Sequence, residues 1–206
     1  MTAAALQIPP GVIRWGQLPV PYVAAWSSEQ AIAIRRDALL GGRPAIFRDG
    51  GRGLGTPMFG KMSEERNRRV VLRAHCQVCN RPLRGAGYVF APVVGHASGA
   101  PVVTEPLACG GCFRLSLAAC PGIARLQSHP RALAARVRRF SPIMVTLRPA
   151  EGGDDLLNQA FASYAGPPPV GALKIAVQDY DILAPAELGI APRLANDSAA
   201  RTGQEG

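Results

Sequence analysis

The stretch HCQVCN (75–80) sets two cysteines two residues apart, and LACGGCFR (107–114) repeats the arrangement further along the chain. Two residues between thiols let one tight turn aim both sulfurs at a single ion, and two such turns complete a tetrahedral shell of four thiolates. Cys76, Cys79, Cys109 and Cys112 are therefore read as the ligands of one structural zinc ion, Zn2+. The twenty-nine residues between the pairs exceed the commonest ribbon spacing. GYVFAPVV (87–94) and APVVTEPL (100–107), two β-prone runs joined by GHAS, account for the extra length as a hairpin. Redox dithiols or incidental buried cysteines are the competing reading, although neither requires a second matching pair. A disulfide framework is disfavoured because it leaves one of five cysteines over.

A closed four-thiolate shell has no position for water, so the ion is expected to support the fold and not to catalyse. Such a site contributes on the order of 10 to 16 kcal/mol of apparent binding free energy, comparable with the net stability of a domain. Its loss is expected to unfold at least residues 74–120. Cys120, two helical turns past Cys112, is surplus to the shell and reads as a small buried side chain. His75 adjoins a ligand, His96 falls in the turn of the hairpin and His129 near a helix start; none is expected to carry a role of its own.

Around the cysteines, SEERNRRVVLRA (63–74) predicts a helix, with Ser63 as cap, Glu64 and Glu65 in the first turn and arginines at its end. GCFRLSLAAC (111–120) predicts a second, stopped by Pro121 and Gly122. HPRALAARVRRF (129–140) reads as a third, capped by Ser128, because Leu133, Val137 and Phe140 are spaced for burial on one face. SPIMVTL (141–147) and ALKIAVQDYDIL (172–183) read as strands, DDLLNQAFASYAG (154–166) as a helix and PPPV as a rigid break. Upstream, VPYVAAW (20–26), AIAIRRD (31–37) and PAIFRD (44–49) predict one small antiparallel sheet after a lead-in at 1–19. GGRGLGT (50–56) lacks the spacing of a nucleotide-binding loop and reads as a flexible turn.

The order of knuckle, hairpin, knuckle and helix over residues 74–120 resembles the treble-clef or zinc-ribbon scaffold, which HNH-type nucleases also use. That resemblance implies a general-base histidine on the first hairpin strand and a metal-binding histidine directly after the last cysteine pair. Here Phe113 follows Cys112, and the nearby histidine, His96, sits in the expected turn, so the catalytic residues do not carry over. PVPYVAAWSSE, RAHCQVCNRPL, CGGCFRLSLAACPGI and VRRFSPI together resemble a group of uncharacterised zinc-motif proteins of actinobacteria and their phages, which implies organisation from residue 19 to about 143 but no activity.

Charge points to a partner class. The net charge is +9, and positions 61–148 hold fourteen basic and three acidic residues, so the excess lies in the cysteine-bearing segment. Arg66, Arg69, Arg73, Arg81, Arg84, Arg114, Arg136, Arg138 and Arg139 are the candidate nucleic-acid-binding residues, since guanidinium groups pair with phosphates and release counterions. A solvated helix face that neutralises the thiolates is the competing reading. Asp179 and Asp181 are expected to face solvent, and Trp15, Tyr22 and Trp26 to belong to the core rather than to stack bases. There is no G-x-S-x-G, no H-E-x-x-H and no apolar run approaching the roughly 18 residues of a membrane span, and MTAAALQIPPGVIRWG, without a positive start, is not expected to act as a signal peptide.

The expectation is thus an α+β protein, a small antiparallel sheet packed around a four-cysteine zinc unit with short helices. Its parts would be an N-terminal lead-in and sheet (1–60), the zinc-binding module with flanking helices (61–150), a C-terminal helix-strand segment on the same unit (151–192) and a disordered tail (193–206). The function expected is a cytoplasmic, non-catalytic binding module for nucleic acid or a nucleic-acid-associated protein. A protein-interaction or phage-related structural role, and a diverged HNH-type nuclease, are the alternatives; no membrane or small-molecule substrate is implied.

Overall fold

The computed structural model describes residues 8–126, 129–149 and 155–188. The chain opens with β1 (Ile13–Trp15) and β2 (Leu18–Val20), a short hairpin turning at Gly16 in the left-handed region. β3 (Ala24–Trp26) follows, then the antiparallel pair β4 (Ala31–Asp37) and β5 (Arg43–Asp49), and then β6 (Pro57–Met62), which returns to β3. The lead-in is therefore partly a hairpin. The expected single N-terminal sheet is three separate two-stranded ladders. Proline in β2, proline and glycine in β6, and the three-residue length of β1 hid those strands from a reading that looks for unbroken runs of β-formers.

Helix α1 (Glu64–Leu72) forms as its sequence dictates: the Ser63 side chain accepts from the Arg66 N–H, and the two glutamates occupy the first turn. The zinc-motif region then supplies β7 (Gly87–Ala97) and β8 (Ala100–Val103), joined by a turn at Ser98 and Gly99, both in the left-handed region. His96 thus lies on β7 opposite Pro101, not in the turn. Helix α2 (Gly110–Ala119) runs from the second cysteine pair to Cys120. Pro121 does not end helical structure there; it opens a further short helix, α3 (Pro121–Leu126), because proline fits the first helical position, where no N–H is needed.

The expected helix at 129–140 is instead β9 (Ala132–Ile143). Leu133 and Val137 are four apart and satisfy a helical face, but Ala135 between them is also buried while Arg136 and Arg138 are exposed, which is strand periodicity. Two neighbours decide the matter, since β9 pairs with β7 on one side and with β10 (Lys174–Ile182) on the other. Helix α4 (Asp155–Ala162) lies before β10. The proposed cap Ser128 and the tail at 193–206 lie outside the described residues.

Strands β10, β8, β7 and β9 close into a four-stranded antiparallel barrel, so the last strand among the described residues shares one sheet with the hairpin that separates the cysteine pairs. Register shifts in β7 after Val93 and in β10 around Asp179 bend the strands as closure requires. The barrel interior (Val89, Ala91, Val103, Leu133, Ala135, Val137, Ile175, Val177) is continuous with Val70 and Val71 of α1. Among the described residues no helix is long and apolar enough to cross a membrane.

One polar group is built into this core. Arg68 is fully buried, donating to Asp37 Oδ2 (2.7 Å), the Ile46 carbonyl (2.8 Å) and the Gly171 carbonyl (3.1 Å), with its guanidinium 4.9 Å from the Phe47 ring. It ties α1 to the β4–β5 pair and to the segment entering β10. Beside it Asn67 accepts from the Leu173 N–H at 2.6 Å.

Candidate metal centre

The first cysteine pair lies on a turn fixed by backbone hydrogen bonds. Asn80 N–H donates to the Cys76 carbonyl (2.9 Å) and Cys76 N–H to the Arg81 carbonyl (2.8 Å). Asn80 takes a left-handed conformation with φ 56°, one that asparagine tolerates better than most residues, so the chain reverses directly after Cys79. The second pair begins α2: Cys109 is its cap residue and Cys112 sits in its first turn, where the helix dipole favours a negative sulfur.

The two turns are locked to each other. Gln77 donates through its N–H to the Leu107 carbonyl (2.9 Å) and through Nε2 to the Pro106 carbonyl (2.7 Å). Tyr88 and Ala108 exchange both backbone hydrogen bonds at 2.8 Å, holding the start of β7 against the residue before Cys109. The Tyr88 ring stacks on Phe113 with centroids 5.3 Å apart. On the other side Tyr22 and Val23 donate their N–H groups to the carbonyls of Val78 and Gln77. These positioning contacts run mostly through the backbone, which is why no pattern of side chains announces them.

The consequence is that the sulfurs of Cys76, Cys79, Cys109 and Cys112 all lie within 4.8 Å of one another. None is in a disulfide, and three of the four side chains are buried. A tetrahedral ion with metal–sulfur bonds of about 2.3 Å has sulfur–sulfur edges of about 3.8 Å, so the cluster has the dimensions of such a shell. Cys79 and Cys109, from different turns, are 4.0 Å apart. Electrostatics points the same way. A hydrogen bond from the Cys112 thiol, with backbone N–H groups of Cys79, Cys109 and Val78, outweighs burial and lowers Cys76 to about 5. Burial raises Cys79 to about 11, and Cys112, bonded to Cys76, is pushed strongly upward. One negative sulfur is therefore tolerated and further ionisation is opposed, so four thiolates together require a cation between them. The donor set fits a metal ion.

Other cysteine and histidine side chains stand apart from this cluster. Cys120 is exposed at the end of α2, not buried as its sequence context implied. His75 Nδ1 lies 3.3 Å from Asn80 Oδ1, and His129 Nδ1 accepts from the Arg131 N–H. Phe113, which stands where a nuclease-like metal histidine would, is a buried ring.

The nine candidate arginines divide by their partners. Arg66 is drawn inward, donating to Glu29 and to the Ala24 carbonyl, with its side chain 11% exposed. Arg69 pairs with Glu65 one turn away, and Arg138 is clasped by Asp179 and Asp181, which lowers both carboxyls and raises the guanidinium. Arg73, Arg81, Arg84, Arg114, Arg136 and Arg139 are exposed with no ion pair among the described residues. The carboxylates complete the pattern. Between residues 8 and 149, Glu29, Asp37, Asp49, Glu64 and Glu65 each pair with an arginine. The sixth, Glu105, is desolvated by burial, which raises its pKa. Trp26 and most of Tyr22 belong to the interior as expected, whereas Trp15 is 46% exposed, edge-on to Trp26.

No protein-family model, no curated protein and no solved structure matches this chain.

Proposed function

We propose that this protein is a non-catalytic binding module, organised by one zinc ion in a treble-clef arrangement, that contacts nucleic acid or a nucleic-acid-bound protein through exposed arginines. Cys76, Cys79, Cys109 and Cys112 would hold the ion, and its chemistry is charge neutralisation and cross-linking of the two turns, since four sulfurs leave no open coordination position. The knuckle, the β7–β8 hairpin and a helix carrying the second pair support the treble-clef reading. The observation that carries the nucleic-acid reading is the sequestration of carboxylates. Over residues 8–149 each acidic group is paired with arginine or desolvated, so no free carboxylate opposes a polyanion. Arg73, Arg81, Arg84 and Arg114 remain uncompensated, while Arg136 and Arg139 lie across from Asp181 and Asp179 without an ion pair among the described residues.

Fluorescence anisotropy with labelled single-stranded and duplex oligonucleotides tests this. Affinity should fall with salt at a log–log slope of roughly 0.9 per phosphate neutralised on duplex. Joint replacement of Arg81, Arg84 and Arg114 by glutamine should lower that slope by up to about three such increments. Negligible binding to both oligonucleotides at low salt would remove the reading.

A protein partner is the second reading, favoured by Trp15, Leu18, Leu54 and Phe59, large apolar side chains exposed on the N-terminal strands and the loop between them. It predicts association that salt does not weaken. The PPPV segment is a poor docking strand, because Val170 bonds to Pro44 and Ile46 and is buried.

A further inference from the structure

The glycine-rich loop at 50–56 is not a loose turn. Ser28 Oγ donates to the carbonyls of Leu54 (2.9 Å) and Gly51 (3.3 Å), while Ser27 N–H donates to the Thr56 carbonyl and Thr56 N–H to Ser27 Oγ, both at 2.9 Å. A Cβ on Gly50, at φ +128°, would lie 2.5 Å from the Ser28 carbonyl oxygen, and one on Gly55, at φ +76°, would collide with Ser27 Oγ. Glycine at both positions lets the loop lie flat on Ser27 and Ser28.

Flattening the loop sets the Arg52 guanidinium 4.9 Å from the Tyr22 ring. There it has no hydrogen-bond acceptor among the described residues, and burial together with the neighbouring Arg66 charge lowers its pKa. Arg66 spends Nη1 and Nη2 on Glu29 and the Ala24 carbonyl. Of the five buried side-chain donors without an acceptor among the described residues, three are Arg52 Nε, Arg52 Nη2 and Arg66 Nε. Folded proteins pair the large majority of such groups, so three on two electrostatically interacting arginines call for an acceptor from outside. Two guanidiniums share one carboxylate, Glu29, which leaves one uncompensated positive charge beside these donors.

We propose that Arg52 and Arg66 form a receptor for a phosphate group. Arg52 Nε and Nη2 are the side-on fork that grips two oxygens of an oxyanion. A planar carboxylate is used up by one fork, whereas a tetrahedral phosphate keeps an oxygen for the second guanidinium. Arg52 as a residue is half-buried, in a loop that reaches the surface, where Leu54 is 61% exposed; its Nε and Nη2 are themselves covered, so binding has to displace what covers them. The group comes as free inorganic phosphate or as the phosphate of a nucleotide. The inference is independent of the nucleic-acid reading, which rests on other arginines.

Thermal shift titrations of the full chain at constant ionic strength, balanced with chloride, test it with inorganic phosphate, a nucleoside 5′-monophosphate and acetate. Wild type should show a saturable rise in Tm with phosphate, with the monophosphate, or with both, and the tighter of the two identifies the source. Arg52→Gln should raise the half-saturating concentration at least tenfold. Arg52→Lys, which keeps the charge but not the fork, should also weaken it, and Arg84→Gln should leave it unchanged. Far-UV circular dichroism verifies the fold of each variant, and Arg52→Lys decides the matter if Arg52→Gln is unfolded. Phosphate and monophosphate both acting like chloride, acetate acting like phosphate, or a folded Arg52 variant saturating like wild type would overturn the proposal.

Discussion

Replacing Arg68 by methionine keeps an unbranched chain in the core but removes the guanidinium. Asp37, whose side chain is 7% exposed, then keeps only the Leu39 N–H as partner, and the Ile46 and Gly171 carbonyls lose their donors. Breaking a buried ion pair by removing one partner costs about 3 to 5 kcal/mol, and the orphaned carbonyls push toward the upper end. Against a typical domain stability of about 5 to 15 kcal/mol this is a large fraction. Urea denaturation of the metal-loaded protein, followed by the fluorescence of buried Trp26, reads the loss as a lower midpoint. The double variant Asp37→Asn with Arg68→Met removes the stranded charge and should recover about half of the deficit. A cost below about 1 kcal/mol for Arg68→Met would mean that the pair does not hold α1 to the β4–β5 strands and the β10 approach, and the account of the core would be wrong.

Further consequences can be measured on the same preparation. Gly50→Ala should destabilise by about 3 kcal/mol, combining a backbone conformation reserved for glycine with the clash at Ser28, whereas Gly60→Ala, at φ +90° with open space around it, should lose only about 1 kcal/mol. Glu105 has a folded-state pKa raised above its ordinary 4.5, so the folded state holds the proton more tightly and stability falls as pH rises past that value. Glu105→Gln should therefore be more stable than wild type at pH 7, with the difference closing below about pH 4.5; an unchanged difference across that range would refute the desolvation reading.

The metal cluster was legible because two cysteines at a fixed short spacing, repeated, specify convergent sulfurs almost regardless of what lies between. The cap of α1 was legible for a similar reason, since Ser63, Glu64 and Glu65 act within one turn. What could not be read was set by distant partners. Leu133 and Val137 fit either period, and only pairing with β7 and β10 makes their segment a strand. Arg68 sits between Asn67 and Arg69 in a polar run and looks like any surface arginine; its acceptors are 31, 22 and 103 residues away. Arg66 was expected outside for the same reason, and Glu29 holds it inside. The glycine loop reads as a flexible turn in the sequence because the serines that pin it lie more than twenty residues upstream.

Native mass spectrometry of protein purified without added chelator, combined with thiol counting before and after chelation, addresses the centre of this account. One zinc per chain is predicted, with four cysteine thiols unreactive while it is bound and released together, along with loss of structure across residues 74–120, when it is stripped. A folded chain that carries no metal, or one whose Cys76, Cys79, Cys109 and Cys112 are recovered as disulfides, would contradict it.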